Sequence, residues 1–418
     1  MEICCSFESP VMDDCGYNPK DRKGARRIAS LLSCDKEIAR HLAHFFHSLV
    51  KQLYKRYFPS LHILDEVTLL FVGDISFADP IKYYVDHKYH TYNDTFNDVA
   101  SFIREADISV GNLESPFANK HVLNHVYQGK KMVLLHASPK AAPALRFAGF
   151  DAVTIANNHL DDLGGVGANF TAEVLKKTGI KYFGISFGKY DSLQEPLIIK
   201  RGRVTVAFLG YCITNSSHTQ KNCSELRKLF DSGPALYRDD IATRDIRRLK
   251  KAKVDIIVVF IHYGRDLRLR PLPYQNHINK HLLSLGADLI IGAHPHVLQD
   301  HCLQDNKLIA YSLGNFLFHI NRPPSAVSPG VYGRFGRKPD KYLINVYEHF
   351  TLGNCNELKL SRLLKVTVSR KGVVNAKYLP VKIAFDRKNK RLHPEPTKDA
   401  NWITVCGKED QHCQCTKN

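Results

Sequence analysis

From Val67 onward, short runs of apolar and β-branched residues alternate with segments whose apolar residues recur at helical spacing. The runs of strand length fall at 68–72, 108–110, 152–155, 204–209, 255–261, 289–292 and 308–312. Strands and helices that alternate along a chain are typical of α/β domains, in which helices cover the faces of a sheet. The sequence therefore predicts an α/β fold with layered packing.

Two of the predicted helices have clear end signals. Ser138 and Pro139 suit the N-cap and the first helical position of a helix over 141–147, and Gly149 suits its terminator. A second helix, over 274–285, ends in the same way before Gly286. Farther along, the runs 364–368 and 373–383 flank Arg370-Lys371-Gly372 and predict a hairpin-like pair of strands.

The regions on either side of this domain have different patterns. Residues 1–33 are polar and without periodicity, which indicates a flexible leader. Apolar residues at i, i+3 and i+4 from about Asp35 to Tyr57 predict a helix, so 34–65 is interpreted as an N-terminal helical extension. The α/β domain then covers 66–385 and includes an exposed loop at 321–340, and 386–418 is expected to be a flexible tail.

Composition limits the class of protein. With 44% apolar and 24% charged residues among 418, the chain is globular in type, and no apolar run approaches the ~20 residues of a membrane span. No secretory signal is visible at the N-terminus, so a cytoplasmic protein is expected. The 11 cysteines are scattered, which favours a mostly reduced set, although Cys413 and Cys415 could bind a soft metal or form bridges in an oxidising compartment.

The formal net charge of +18 attracts polyanions without specificity. The basic residues are spread along the chain, and no nucleic-acid-binding module or aromatic-interleaved basic motif accompanies them. The basic clusters are therefore most typical of solvated helix and loop faces, with an anionic substrate compatible with the charge and nucleic acid the less favoured partner.

Potential ligand groups follow five of the predicted strands, at the edge where ligands bind in α/β folds. Taken singly, each has an ordinary explanation, such as a turn residue or a loop histidine. Together they supply carboxylate, amide and imidazole groups, a set that suits two divalent ions about 3.5–4 Å apart and hydrolysis by metal-bound hydroxide. In chain order the groups are Asp74, Asn112, Glu114, Asn157, Asn158, His159, His262, His294 and His296.

The pair His294 and His296 is the most specific of these signals. Residues two apart in extended backbone project from one side of the chain, and Pro295 biases His294 away from the α region. Extended backbone at Gly-Ala-His-Pro-His would therefore let two imidazoles converge on one ion. Two ordinary loop histidines explain this pair equally well when it is taken alone.

Six motifs, taken in order, resemble the CapA family, named for capsule and poly-γ-glutamate biosynthesis. That family is similar to the wider calcineurin-like metallophosphatase superfamily. The resemblance covers about Glu66 to Ile383. The motifs are Gly73-Asp74, Asn112-Leu113-Glu114-Ser115-Pro116, Ala156-Asn157-Asn158-His159, His262-Tyr263-Gly264, Gly292-Ala293-His294-Pro295-His296-Val297-Leu298-Gln299 and Ser312-Leu313-Gly314-Asn315-Phe316.

The resemblance implies a metallophosphatase-like fold of two face-packed β-sheets flanked by helices, to which the N-terminal helix is added. It implies metal ligation by Asp74, Glu114, Asn158, His262, His294 and His296, with two divalent ions such as Mn, Fe or Zn. It also implies that His159 contacts the substrate phosphoryl group or protonates the leaving group, and Asp162 could orient its imidazole by a hydrogen bond. Asn112, Asn157 and Arg265 are the expected substrate-binding residues.

Two departures limit the transfer from the family. Tyr263 and Asp266 stand where relatives often have Trp and Glu, and a shorter carboxylate reaches differently. The nearby Arg265, Arg268 and Arg270 suit either an anionic substrate or a solvated basic loop.

Three functions stay open from the sequence. The first is a metal-dependent hydrolase of a phosphoester or of a polyanionic polymer such as poly-γ-glutamate. The second is a non-catalytic protein that keeps the fold and binds or assembles a polyanion. The third is a nucleic-acid phosphodiesterase, which shares the metal chemistry and the basic charge.

Overall fold

The computed structural model describes residues 65–119, 134–188, 194–213, 223, 232–319 and 356–415. These residues belong to a compact unit that runs from Ser60 to Asn418. The predicted leader, the predicted N-terminal helix and the loop predicted at 321–340 lie outside the described residues. Among the helices that are described, none has the length and apolar character needed to cross a membrane.

Strands and helices alternate through most of the described sequence, as the hydrophobic pattern predicts. The strands are β1 (Glu66–Ile75), β2 (Ile108–Leu113), β3 (Ala152–Thr154), β4 (Lys181–Phe183), β5 (Ile185–Phe187), β6 (Leu197–Arg201), β7 (Val204–Cys212), β8 (Ser232–Pro234), β9 (Ile256–His262), β10 (Leu289–Ala293), β11 (His301–Gln304), β12 (Lys307–Ala310), β13 (Asn315–Leu317), β14 (Leu360–Ser369), β15 (Gly372–Asp386), β16 (Arg391–Pro396) and β17 (Ile403–Thr404). The helices are α1 (Ile81–Asp86), α2 (Ala100–Arg104), α3 (Ala142–Ala148), α4 (Gly164–Thr178), α5 (Asp239–Lys251) and α6 (Pro273–Leu285).

The end signals read from the sequence work as predicted. The Ser138 side chain accepts a hydrogen bond from the backbone N–H of Lys140 at the start of a 3₁₀ turn that leads into α3. Gly149 ends α3 in the left-handed region at φ 104°, and Gly286 ends α6 at φ 109°. Glycine adopts this conformation without the steric cost that a Cβ brings.

The larger sheet has the order β16-β15-β14-β1-β2-β3-β4, with β13 also paired to β1 and β17 to β15. Its strands β1 to β4 are parallel neighbours, whereas β14, β15 and β16 are antiparallel, and β14 and β15 form the predicted hairpin. The smaller sheet has the order β11-β12-β10-β9-β7-β6, with β12, β10, β9 and β7 parallel. In both sheets the parallel strands end at a common edge.

The central strands of both sheets carry apolar side chains on both faces. One face of each sheet can therefore pack against the other sheet while the opposite face packs against helices. Leu69 and Phe71 of β1 share one buried cluster with Val258 and Phe260 of β9, which places this cluster between the sheets. The opposite face of β1 contributes Leu70 to a cluster with residues of α3 and α4. The opposite face of β9 packs with residues of α5 and α6. This helix–sheet–sheet–helix layering confirms the predicted α/β fold.

The structure differs from the prediction at the C-terminal end of the chain. Residues 386–415 are not a flexible tail, because β16 and β17 pair with β15 and extend the larger sheet. The carboxylate of Asp410 holds the last segment in place: it accepts hydrogen bonds from His301 Nε2 at 2.5 Å and from the backbone N–H of Cys406 at 2.7 Å. The domain boundary therefore lies beyond the predicted residue 385.

The cysteines also differ from the prediction of a mostly reduced set. Three disulfides occur among the described residues, and one of them joins β11 to the C-terminal segment across 113 positions of sequence. Partners that distant leave no local spacing from which a bridge could be predicted. The pairs are Cys212–Cys223, Cys302–Cys415 and Cys406–Cys413.

Candidate metal centre

The common edge of the parallel strands places the predicted ligand groups beside one another. In the larger sheet, Asp74 of β1 is in register with Asn112 of β2 on one side and with Asn315 of β13 on the other. In the smaller sheet, His262 at the end of β9 is in register with Ala293, which directly precedes His294. Since the sheets pack face to face, their strand ends meet at one site.

The backbone at residue 73 passes so close to the backbone at Gly314 that only glycine fits there. A Cβ built on Gly73 would lie 1.9 Å from the carbonyl oxygen of Gly314. The next residue, Asp74, donates its backbone N–H to the same carbonyl at 3.0 Å. Only glycine allows the two segments to approach this closely, and their approach brings Asp74 next to Asn315.

The centre of the site is a group of buried acids and imidazoles. One donor atom each from Asp74, Glu114 and His296 lies within 4.8 Å of the others. His262 Nε2 is 3.7 Å from Glu114 Oε1, and His296 Nε2 is 3.8 Å from the same oxygen. Both carboxylates are fully buried. Buried carboxylates need a compensating positive charge, which a proton or a cation can supply.

Asn158 and His294 join the same group. The Oδ1 atom of Asn158 lies 2.9 Å from His262 Nε2. The rings of His262 and His294 are 4.8 Å apart between centroids, and the backbone N–H of His294 donates to Asp74 Oδ2 at 3.4 Å. The structure therefore brings together all six residues predicted as metal ligands.

His159 stands at the margin of this group with its predicted partner. Its Nδ1 atom is 2.7 Å from Asp162 Oδ2, and its Nε2 atom is 3.9 Å from Glu114 Oε1. Because the Asp162 carboxylate accepts hydrogen bonds, the Nδ1 position carries the proton and Nε2 faces the site. Asp162 also accepts from the backbone N–H of Leu135 at 2.6 Å, which fixes the carboxylate.

The backbone of the His294-Pro295-His296 segment is not the extended chain that the sequence predicted. His294 has φ 99° and His296 has φ 58°, both in the left-handed half of the map. Residues other than glycine occupy that half at a cost of about 1–3 kcal/mol each, usually at functional sites. The two imidazoles still converge, with 6.0 Å between ring centroids, but a tight turn brings them together.

The two histidines of this turn have opposite pKa shifts. Burial lowers the pKa of His294 to about 4, so its ring is neutral at physiological pH. Burial also acts to lower the pKa of His296, but the negative charges of Glu114 and Asp74 outweigh it and raise that pKa to about 10. The ring of His296 is therefore positively charged when no cation is bound, and it offsets part of the negative charge of the two carboxylates.

The residues predicted to bind substrate lie in two different settings. Asn112 donates from Nδ2 to Asp74 Oδ1 at 2.8 Å, and Asn157 donates to Asn112 Oδ1 at 3.0 Å. Both asparagines are fully buried, and their hydrogen bonds hold the Asp74 carboxylate in place. Arg265 is exposed on the loop after β9, next to Asp266. The role in substrate binding stays a prediction for all three.

Two further residues take part in the site. Asp266 Oδ1 lies 3.1 Å from His294 Nε2, so the shorter carboxylate that replaces the family's glutamate does reach the histidine turn. Asn315 Oδ1 lies 2.8 Å from His296 Nδ1. Asn315 belongs to a motif that is visible in the sequence, but its role depends on the register of β13 with β1.

The donor set fits a divalent cation. Neither ring nitrogen of the buried His294 makes a hydrogen bond within the described part of the chain, since the close Asp266 Oδ1 at 3.1 Å from Nε2 lacks hydrogen-bond geometry. Imidazole and carboxylate groups in one buried cluster are ligands that Zn, Fe and Mn accept. The number and identity of the ions stay predictions.

Comparison with known proteins agrees with the motifs. The family model described as bacterial capsule synthesis protein PGA_cap matches residues 68–320. The chain is 28% identical over 260 residues to the capsule biosynthesis protein CapA of Bacillus anthracis, and this alignment covers 61% of this chain and 60% of that protein. It is 27% identical over 256 residues to the PGA biosynthesis protein CapA of Bacillus subtilis (strain 168), and that alignment covers 61% of this chain and 64% of the relative. The chain thus spans less than two thirds of the length of either relative.

Among solved structures, the NAD nucleotidase of Haemophilus influenzae (NadN) aligns with 82% of this chain and 54% of its own. The sequence identity is 13% and the TM-score is 0.39.

Proposed function

Since this chain belongs to the bacterial capsule synthesis protein PGA_cap family, we propose that it is a metal-dependent hydrolase of an anionic substrate. The observation that carries the proposal is the buried cluster of Asp74, Glu114 and His296, whose donor atoms lie within 4.8 Å of one another. His262, His294 and Asn158 complete the set of ligands. When bound, divalent cations there would lower the pKa of a water molecule and neutralise charge on a phosphoryl or acyl oxygen.

The residues of the chain have distinct tasks in this proposal. Asp74 and Glu114 supply the anionic ligands, and the hydrogen bond from Asn112 holds one oxygen of Asp74 in place. His294 is neutral at physiological pH, so a ring nitrogen can coordinate without first losing a proton. Hydrogen bonds such as the one from Asn112 to Asp74 fix the positions of the ligands before a substrate binds.

His159 is the proposed general acid. Its Nε2 atom faces Glu114. Its Nδ1 atom donates a hydrogen bond to Asp162 Oδ2, with 2.7 Å between the two atoms. A histidine oriented in this way can pass a proton from Nε2 to a leaving-group oxygen or nitrogen. Asp162 would stabilise the positive form of the ring before that transfer and keep the correct nitrogen directed at the substrate.

The substrate is proposed to be a phosphoester or a polyanionic polymer such as poly-γ-glutamate. Arg265, Arg268 and Arg270 are exposed on the loop whose Asp266 reaches His294, so their charges lie beside the site. The loop is held by a hydrogen bond from the backbone N–H of Leu267 to the carbonyl of Pro295 at 2.8 Å. A fixed loop reduces the ordering cost of binding an anion.

Elemental analysis followed by a substrate panel tests the proposal. Protein purified without chelators should contain Mn, Fe or Zn and should hydrolyse at least one phosphoester or γ-linked peptide. The Asp74→Ala variant should lose both metal and turnover, and the exposed-loop variant Lys88→Ala serves as the matched control. Full turnover in metal-free Asp74→Ala protein would reject the proposal.

A non-catalytic polyanion-binding protein is the second candidate, and the net charge of +18 favours it. Retention of poly-γ-glutamate without turnover in added Mn or Zn would support this function over the hydrolase. Cleavage of DNA or RNA in the same panel, with a rate that falls steeply with salt, would indicate the nucleic-acid phosphodiesterase instead.

A further inference from the structure

We propose that Asn315 is a positioning residue that fixes the imidazole of His296 and keeps its Nδ1 proton away from Asp74. The inference rests on the metal site of the proposed function, but not on hydrolysis. Asn315 is fully buried at the start of β13, where it lies in register with Asp74. It therefore stands between two ligands that come from different parts of the chain.

Two carbonyl groups fix the orientation of the Asn315 amide. Its Nδ2 group donates to the carbonyl of His296 at 3.1 Å and to the carbonyl of Leu358 at 3.1 Å. A side-chain amide has two N–H donors, and both are used by these contacts. If the amide were flipped, its oxygen would face two other oxygens, so Oδ1 must be the atom that faces the imidazole.

The orientation of the amide determines which nitrogen of His296 can bind a cation. Asn315 Oδ1 accepts only, and it lies 2.8 Å from His296 Nδ1, so that nitrogen carries a proton. The other ring nitrogen, Nε2, is then directed toward Glu114, whose Oε1 atom is 3.8 Å away. Asn315 thereby presents Nε2 as the ligand atom.

The same contact protects Asp74 from a competing hydrogen bond. Asp74 Oδ2 lies 3.4 Å from His296 Nδ1, farther than the Asn315 oxygen. Without Asn315, the Nδ1 proton would turn to this carboxylate, and a charge-assisted hydrogen bond of that kind competes with a cation for the same oxygen. The asparagine thus separates an imidazole ligand from a carboxylate ligand.

The first experiment observes the Nδ1 proton directly in metal-free protein. Proton–nitrogen NMR of histidine-labelled protein should show a hydrogen-bonded imidazole Nδ1 proton that disappears in His296→Ala, which assigns it. In Asn315→Ala the signal should move or be lost by exchange with water. An unchanged signal in Asn315→Ala, or no protected Nδ1 proton in the wild type, would overturn the proposal.

The second experiment measures the affinity for Zn²⁺ alone by calorimetry. Removing a side chain that orients a ligand weakens metal binding by about 10–100-fold, and we expect this loss in Asn315→Ala. The matched control is Asn279→Ala, since Asn279 is also fully buried but accepts its hydrogen bond from Tyr263 at 3.0 Å. Equal losses in both variants would assign Asn315 a merely structural role and overturn the proposal.

These two measurements separate this inference from the hydrolase proposal. Wild-type protein that binds no metal defeats the proposed function, and the NMR signal in metal-free protein still decides the role of Asn315. Wild-type protein that binds Zn²⁺ with the same affinity as Asn315→Ala keeps the metal site and defeats the positioning role.

Discussion

Protons and metal ions are expected to compete at His296. The charges of Glu114 and Asp74 overcome the effect of burial and raise the pKa of this histidine to about 10. At neutral pH its ring is therefore doubly protonated in the metal-free protein. A cation that binds at Nε2 must displace one proton, so the apparent metal affinity should increase as the pH rises.

The structure sets the size of this effect. Loss of one proton per bound cation makes binding about tenfold tighter per pH unit, or ~1.4 kcal/mol. Between pH 7 and pH 9 the expected gain is about 100-fold, or ~2.7 kcal/mol. His294 adds nothing to this slope, because burial lowers its pKa to about 4, far below the range.

Calorimetry with Zn²⁺ at pH 7 in two buffers of different ionisation enthalpy counts the protons released. In the wild type we expect about one proton to be released from His296 for each bound Zn²⁺. In His296→Ala we expect no such release, together with weaker binding. Proton release that persists in His296→Ala would come from bound water. An affinity independent of pH, with no difference between the wild type and His296→Ala, would show that no proton of His296 is displaced by the cation.

Three further predictions concern other parts of the molecule. His159→Ala should lower kcat by about 10²–10⁴-fold while the metal content stays unchanged, as measured by turnover and elemental analysis on one preparation. Cys302→Ser should lower the free energy of unfolding by about 2–5 kcal/mol in urea, because it opens the bridge to Cys415, and equal stability would show that this bridge is not formed. Gly73→Ala should melt at a lower temperature and lose metal, since its Cβ would lie 1.9 Å from the Gly314 carbonyl oxygen, and a wild-type melting curve would contradict that packing.

The layered fold could be predicted because local patterns and long-range packing agree over most of the domain. The run 68–72 lies within β1 and the run 255–261 overlaps β9, since short β-branched runs that are apolar on both faces are typical of buried strands. Gly149 and Gly286 end their helices as predicted. These are signals within a few residues of one another, which a sequence displays directly.

The arrangement of the C-terminal segment could not be predicted, because its partners are far away in sequence. Asp410 contacts His301, and Cys415 pairs with Cys302 across 113 positions. A polar stretch that packs through such contacts has the same local composition as a flexible tail. The sequence therefore suggested disorder at 386–418, although β16 and β17 belong to the larger sheet.

Most members of the candidate site were predictable, but its geometry was not. Strand ends and motif order indicated six candidate metal ligands, and the structure brings these six residues together. The positive φ angles at His294 and His296 were not visible, because a turn that bends against steric preference is imposed by its surroundings. Asn315 was missed as a site residue for a related reason, since register between β13 and β1 is not encoded in either strand alone.

Anomalous diffraction from crystals grown with Mn²⁺ would locate a bound cation directly. We expect at least one anomalous peak about 2.0–2.2 Å from carboxylate oxygens of Asp74 or Glu114 and from the Nε2 atom of His296. A protein saturated with Mn²⁺ that shows no peak between these residues, or shows its metal elsewhere, would contradict this expectation.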